Sequence, residues 1–201
     1  LPGDSAAADI TGFDCGPANT LLDAWCRRHR NCSFDTDGIW AAGGILQHTL
    51  LERLTSDDFF QCPPPKSTGP EYFNLDWLMR RGGNLLARTS PNDVQTTLAE
   101  LTAITVARAI RESPLGPGEV LVCGGGVHNR HLLVRLSAHL PEYRIRSTAE
   151  LGMDPDFVEA AAFAWLARCR LYNVAGNIPA VTGARRRVVL GGIYAGNSHV
   201  E

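Results

Sequence analysis

Leu21, Leu22, Trp25, Cys26 and His29 recur at the spacing of one helical face, which predicts a helix over residues 17 to about 29. Pro17 suits the first helical position, where its missing N–H costs nothing. A second apolar pattern runs from residue 39 to residue 54. It gives way to DDFFQCPPPKSTGPEYF (57–73), a long loop whose three consecutive prolines forbid helix and central strand. SPNDVQTTLAELTAITVARAIR (90–111) opens on a cap signature, Ser90 then Pro91, with Asp93 three residues on. Val94, Leu98, Leu101, Ile104 and Thr105 form its expected buried stripe.

EVLVCGGGVHNRHLLVRLSAHL (119–140) reads as a buried strand, a glycine turn and a helix capped by Asn129. YRIRS (143–147) is expected to lie beside that strand. Asp154-Pro155 starts a helix over about 156–172, and RRVVLGGIY (186–194) reads as a last strand. Strands alternating with helices argue for α/β layering.

With 201 residues, 44 % of them hydrophobic and 20 % charged, the chain can bury a sizeable core in one domain or one and a half. A net charge of −2 removes the electrostatic case for nucleic acid or an anionic membrane as partner. The longest apolar stretch, VEAAAFAWLA (158–167), is far too short to span a bilayer. LPGDSAAADI (1–10) lacks the regions of a signal peptide, so a cytoplasmic location is expected. The six cysteines, Cys15, Cys26, Cys32, Cys62, Cys123 and Cys169, show neither C-x-x-C pairs nor zinc spacing and are read as reduced thiols. His128 and His131 stand three apart without a third ligand nearby, so an exposed helical turn is expected there and no metal site.

Three places carry candidate chemistry. Asp14, in GFDCGP, precedes a helix start, and taken alone a capping role is its simpler reading. Alternatively, Gly12 and Gly16 let backbone approach a ligand, the helix N-terminus favours an anion, and Asp14 faces the reacting atoms. In CGGGVHN, Gly124, Gly125 and Gly126 leave a side-chain-free shelf on which a nucleobase or ribose could lie; a mere tight turn is the rival. It is no dinucleotide fingerprint, because the last position of G-x-G-x-x-G would be Asn129. Glu159 is the one charge in VEAAAFAWLA. That helix is expected to be buried nearly all round, which would raise the carboxyl's pKa and suit an acid–base residue. A dipole-complementing role at the helix start is the bland alternative. PKSTG (65–69) is no P-loop, since Pro65 stands where glycine must precede the lysine, and Lys66 is expected on a solvated loop, or at most near a ligand.

GFDCGPANTLLDAW, PPPKSTGPEYFNLDWL, DVQTTLAELTA, CGGGVHN, DFVEAAAFAWLA and GNIPAVTGA, in this order, resemble the anhydro-N-acetylmuramic acid kinases of bacteria, in the actin and sugar-kinase superfamily. The resemblance covers residues 12–194. It implies a ribonuclease H-like, actin-type ATPase lobe with helical insertions, and a two-lobed enzyme using ATP and Mg²⁺. Its implied reaction opens the 1,6-anhydro bond of anhydro-N-acetylmuramic acid and phosphorylates O6, serving cell-wall recycling. The resemblance places the catalytic aspartate on Asp14 and the assisting glutamate on Glu159. Nucleotide binding falls on Gly12, Gly16, Asn19, Gly124, Gly125, Gly126 and Asn129, and a homodimer is the assembly to look for. The two acids are therefore expected at the edge of one pocket beside the glycine shelf.

Two positions depart from the family pattern: Pro70 replaces the usual arginine after KSTG, and Ala18 replaces a glycine in GPGN. The family's NIGGIAN strand and SGTS-x-DG phosphate hairpin have no counterpart in residues 1–201. These residues are therefore expected to form the C-terminal, nucleotide-binding lobe of a two-lobed kinase, inactive without the other lobe. A non-catalytic binding or dimerisation module is the first rival, and glycoside hydrolysis by Asp14 and Glu159 the second.

Overall fold

The computed structural model describes residues 10–194. The LPGDSAAADI segment, apart from Ile10, lies outside them. The chain is α/β, mostly helical, with a small parallel sheet.

At its centre runs α6 (Pro91–Arg111), started as its sequence signals: the Ser90 side chain accepts from the Asp93 amide and Pro91 occupies the first turn. Its expected stripe is buried at Val94, Leu98, Leu101 and Thr105, with Ile104 half-buried. Burial extends well beyond one stripe, because α1 (Thr20–Arg30), α2 (Ile39–Ala42), α3 (His48–Thr55) and α7 (Arg130–His139) all pack on α6. Two of its buried threonines bond to neighbouring backbone, while Gln95 Oε1 and Asn92 Oδ1 are buried without a partner among the described residues. Thr96 Oγ1 donates to the Ala41 carbonyl at 2.6 Å, and Thr102 Oγ1 to the Ala18 carbonyl at 2.8 Å.

The main core joins Leu21, Leu22 and Trp25 to Leu50, Leu54 and Phe73, to Trp77 and Leu78 of α4 (Leu75–Gly82) and to Leu86 of α5 (Asn84–Arg88), around the first half of α6. A smaller cluster (Ala107, Leu136 and Leu140, with Val120 and Ile145) fastens the sheet to α6 and α7. Glu100, 5 % exposed, ties the two helices directly. It accepts two bonds from Arg135, at 2.7 and 3.0 Å, and lies 2.7 Å from His139 Nε2.

The sheet pairs β1 (Glu119–Val122) in parallel with β2 (Arg144–Ser147), Glu119 opposite Arg144. The neighbouring strand is where the sequence places it, but β1 is not buried. Its residues alternate between exposed and half-buried, because β2 covers one edge and α6 and α7 only one face. Residues 186–194 form no strand. They run as a loop in which Val188 exchanges hydrogen bonds with Gly176 and the Asn177 side chain.

Helical boundaries moved for local reasons. The first helix begins at Thr20, not Pro17, since Ala18 takes a left-handed φ of 47° that no helix accommodates. The 39–54 pattern is broken at Gly43-Gly44 into α2 and α3. Asp154 caps a short 3₁₀ turn, Pro155–Phe157, which leads into α8 (Val158–Leu171). The largest correction concerns α8. Expected to be buried nearly all round, it is mostly exposed: Phe163 is 65 % accessible, and Cys169 is its only buried residue. Only one side is partly covered, at Val158, Ala161, Trp165, Leu166 and Cys169, while the alanines and Phe163 of the other side meet solvent, so its apolar composition does not make it buried all round.

Candidate functional site

Asp14 caps no helix. Its amide donates to the Lys66 carbonyl at 3.1 Å, so the GFDCG turn lies against the proline-rich loop. Its carboxylate accepts two bonds on one oxygen: Ser67 Oγ and the Thr68 amide each lie 2.8 Å from Oδ2. Among the described residues Oδ1 takes no hydrogen bond. Asp14 lines an open cavity of about 580 Å³ with Gly12, Phe13, Pro65, Lys66, Ser67, Val181 and Thr182. Val181 and Thr182 come from α9 (Pro179–Thr182).

The loop that meets Asp14 is held at both ends. Asp57 accepts from the Phe59 amide at 3.0 Å, from the Tyr72 hydroxyl at 2.7 Å and from the Trp77 indole at 3.0 Å. Burial pushes the Asp57 carboxyl up, but these donors and the Arg81 charge together hold it below the usual value. Lys66 is half-buried, not solvated as expected. Its ammonium donates to the Phe59 carbonyl at 3.0 Å and sits 4.7 Å from the Phe59 ring centre. Beside Asp14, burial pushes the Cys15 thiol up, opposed by its backbone hydrogen bond. Such a thiol is a poor nucleophile.

Gly12 and Gly16 are explained by packing. A Cβ at Gly12 would come within 2.9 Å of Val181 Cγ1, and one at Gly16 within 2.9 Å of Thr105 Oγ1. Gly124, Gly125 and Gly126 differ. Gly124 has a φ of 70° with open space where a side chain would point, while Cβ atoms at Gly125 and Gly126 would meet only Asn19 Nδ2, at 3.9 and 3.7 Å. Gly125–His128 forms a 3₁₀ turn, and the Asn129 side chain then caps α7 by accepting from Leu132 at 2.9 Å. Asn19, Gly125 and Asn129 share a cavity of about 290 Å³ with Leu22, Asp35 and His128. That is near the lower limit for a small-molecule site.

Glu159 lies exposed in the first turn of α8, so the burial argument for it falls away. It lines neither the Asp14 cavity nor the shelf cavity. The start of its helix is nevertheless tied to the shelf: the Gly124 amide donates to the Pro155 carbonyl at 2.8 Å, and His128 lies 2.9 Å from Asp156. Among the described residues there is no cluster of three or more His, Cys, Asp or Glu suited to a metal ion, and no helix long and apolar enough to cross a membrane.

GFDCG, PPPKSTG and GNIPAVTGA, far apart in the chain, thus converge on the Asp14 cavity, while Asn19 and CGGGVHN meet at the second. The family model for anhydro-N-acetylmuramic acid kinase matches residues 5–196. The chain belongs to the anhydro-N-acetylmuramic acid kinase family. A relative of that name from Chromohalobacter salexigens is 50 % identical over 200 residues, which are 98 % of this chain and 53 % of the relative. Others are 51 % identical over 185 residues (Pseudomonas savastanoi pv. phaseolicola; 92 % and 50 % covered) and 46 % over 196 (Coxiella burnetii; 98 % and 52 %). The chain spans about half the length of these relatives.

Ser67, Thr68 and Asp57 escaped the sequence reading. Nothing local in PKSTG signals that its serine would reach a carboxylate 53 residues away.

Proposed function

We propose that these residues are the C-terminal, nucleotide-binding lobe of an enzyme that opens the anhydro bond of anhydro-N-acetylmuramic acid and phosphorylates O6. Membership of the family over residues 5–196 carries this reading. The product would be N-acetylmuramic acid 6-phosphate, and the setting cytoplasmic cell-wall recycling.

An internal anhydro bridge offers no free O6 hydroxyl to deprotonate. Water must attack the anomeric carbon, as in an inverting glycosidase, and the oxygen released at C6 then accepts the γ-phosphoryl group. Asp14 is the base for that water, and its unbonded Oδ1 suits the task. Glu159 orients the water or shares its proton, which requires the α8 start to face the same sugar. Gly124, Gly125 and Gly126, with Asn19 and Asn129, form the surface for the nucleotide, while Gly12 and Gly16 shape the turn along its phosphates. The open space above Gly124 fits a flat ligand laid against that turn. Mg²⁺ would arrive on the phosphates, needing only one or two carboxylates.

The test joins this chain to the part of the Chromohalobacter salexigens relative that it does not span, and follows ATP-dependent formation of the sugar 6-phosphate. Asp14→Asn should abolish it, and residues 1–201 alone should show none. Retained turnover in Asp14→Asn overturns the assignment.

The exposed apolar surface of α8 favours a second reading, a module that docks on a partner, including a second copy, without transferring phosphate. Dimerisation on size-exclusion chromatography with no heat on ATP titration would support it.

A further inference from the structure

A carboxylate that takes a proton from water must present one oxygen in a fixed direction, and free rotation about its last bond spoils that. Asp14 has that rotation stopped from one side only. Ser67 Oγ and the Thr68 amide, both at 2.8 Å, occupy Oδ2, while Oδ1 is left without a protein partner among the described residues. The same segment also receives the Asp14 amide through the Lys66 carbonyl, so main chain and side chain of the acid are gripped together.

The grip is built in advance. Asp57, 7 % exposed, gathers the Phe59 amide, the Tyr72 hydroxyl and the Trp77 indole, closing the base of the 57–73 loop. Lys66 bonds back to the Phe59 carbonyl one residue before Ser67. Phe73, 1 % exposed, stacks on Phe60 and meets Phe59 and Trp77 edge-on, which locks the returning segment of the loop into the core. Ser67 is thus delivered to Asp14 by a strap with little freedom to retreat.

We propose that Ser67 is a positioning residue for Asp14: with the Thr68 amide it commits Oδ2 to the loop and leaves Oδ1 as the oxygen that meets the reacting water. This rests on Asp14 being the base. The Ser67 hydroxyl itself touches no reacting atom. Removing it leaves the Thr68 amide as the sole donor, and the carboxylate can then turn.

Two measurements test this. In the assembled two-part protein, Ser67→Ala should lower kcat about tenfold or more with KM nearly unchanged, as expected for lost orientation. Ser67→Thr, which keeps the hydroxyl, should restore most of the rate. In residues 1–201 alone, Asp14→Ala should speed hydrogen exchange at the Thr68 amide about tenfold, as for a lost charged hydrogen bond, while amides within α6 keep their protection. Unchanged kcat in Ser67→Ala beside an inactive Asp14→Asn overturns the positioning role alone. Failure of Ser67→Thr to rescue, or unchanged Thr68 exchange, overturns it as well. Turnover retained by Asp14→Asn sinks the base assignment and the positioning role with it, whereas Thr68 exchange still reports the bond itself.

Discussion

The hydroxyl of Thr102, in the middle of the central helix, donates to the carbonyl oxygen of Ala18 at 2.8 Å, 84 positions away. It fixes the turn between Asp14 and Asn19 onto the rigid core, so acid and shelf are referred to one helix. The turn bears strain there. Ala18 has a φ of 47°, in the left-handed region that costs a residue with a Cβ roughly 1–2 kcal/mol. Ala18→Gly should relieve that strain, partly offset by about 0.5–1 kcal/mol of extra unfolded-state entropy. A net gain of about 0.5–1 kcal/mol raises the melting temperature by roughly 1–4 °C in a chain of this size. A calorimetric scan showing no gain would mean that the turn relaxes around alanine.

Two glycines of the candidate site should respond differently to the same substitution. Gly16→Ala drives a methyl into Thr105 Oγ1 at 2.9 Å and the Phe60 ring at 3.3 Å, both of them buried. Overpacking of this kind costs roughly 1–3 kcal/mol, visible in urea unfolding. Gly125→Ala meets nothing closer than 3.9 Å and should leave stability nearly unchanged. If the shelf carries the nucleotide, that methyl occupies its space, and calorimetric ATP affinity should fall while the unfolding midpoint holds.

The Asp57–Tyr72 pair is open to direct titration. The 2.7 Å bond to Asp57, then burial, then the charges of Asp57 and Asp58 push the Tyr72 hydroxyl up to about 12. A group whose pKa is raised by folding stabilises fully below its unfolded value, near 10, and loses that contribution as pH rises toward 12. Absorbance at alkaline pH should therefore show one of the four tyrosines ionising late, accompanied by loss of stability. Asp57→Asn should bring that phase back toward 10, and Tyr72→Phe should abolish it.

Local chemistry was legible wherever a residue acts within its own turn. Ser90 and Asn129 cap the helix starts that the sequence assigns them, Asp154 caps the 3₁₀ turn that precedes α8, and β1 and β2 pair as expected, because caps and short parallel crossovers are settled by neighbours. Asp14 was singled out by its glycine- and proline-bounded turn. Ser67 was not, because its role exists only once a loop 53 residues away folds onto the acid. For α8, composition speaks of burial, yet what covers a helix is a property of the rest of the molecule. The presumed last strand failed for a related reason. Val188 and its neighbours have strand-like side chains, but the Asn177 side chain takes the Val188 amide at 2.6 Å, so it is lost to any ladder.

Glu100 sets the acid limit of the fold. Burial alone would raise its pKa, but the hydrogen bonds from Arg135 and His139, and then their charges, outweigh it and hold the carboxyl below its ordinary 4.5. Asp57 is held down in the same way, below 3.8. For a carboxyl with a depressed folded value, the stabilisation is present above the unfolded pKa and lost as pH falls through the folded one. Stability should therefore be level near neutrality and decline as pH drops below about 4.5, Glu100 first contributing and Asp57 lower down. Glu100→Gln leaves the partly exposed Arg135 and His139 facing a neutral amide between α6 and α7. At neutral pH this should cost about 1–3 kcal/mol, less than a fully buried pair because solvent reaches both partners. As pH falls below 4.5 the unfolded chain takes up this proton first and the native carboxyl follows only lower, so the stability gap between native protein and Glu100→Gln should close progressively. Urea midpoints for both at pH 7, 5, 4 and 3 measure it; a gap constant across that range would mean that the Arg135 and His139 contacts confer no preference for the ionised form.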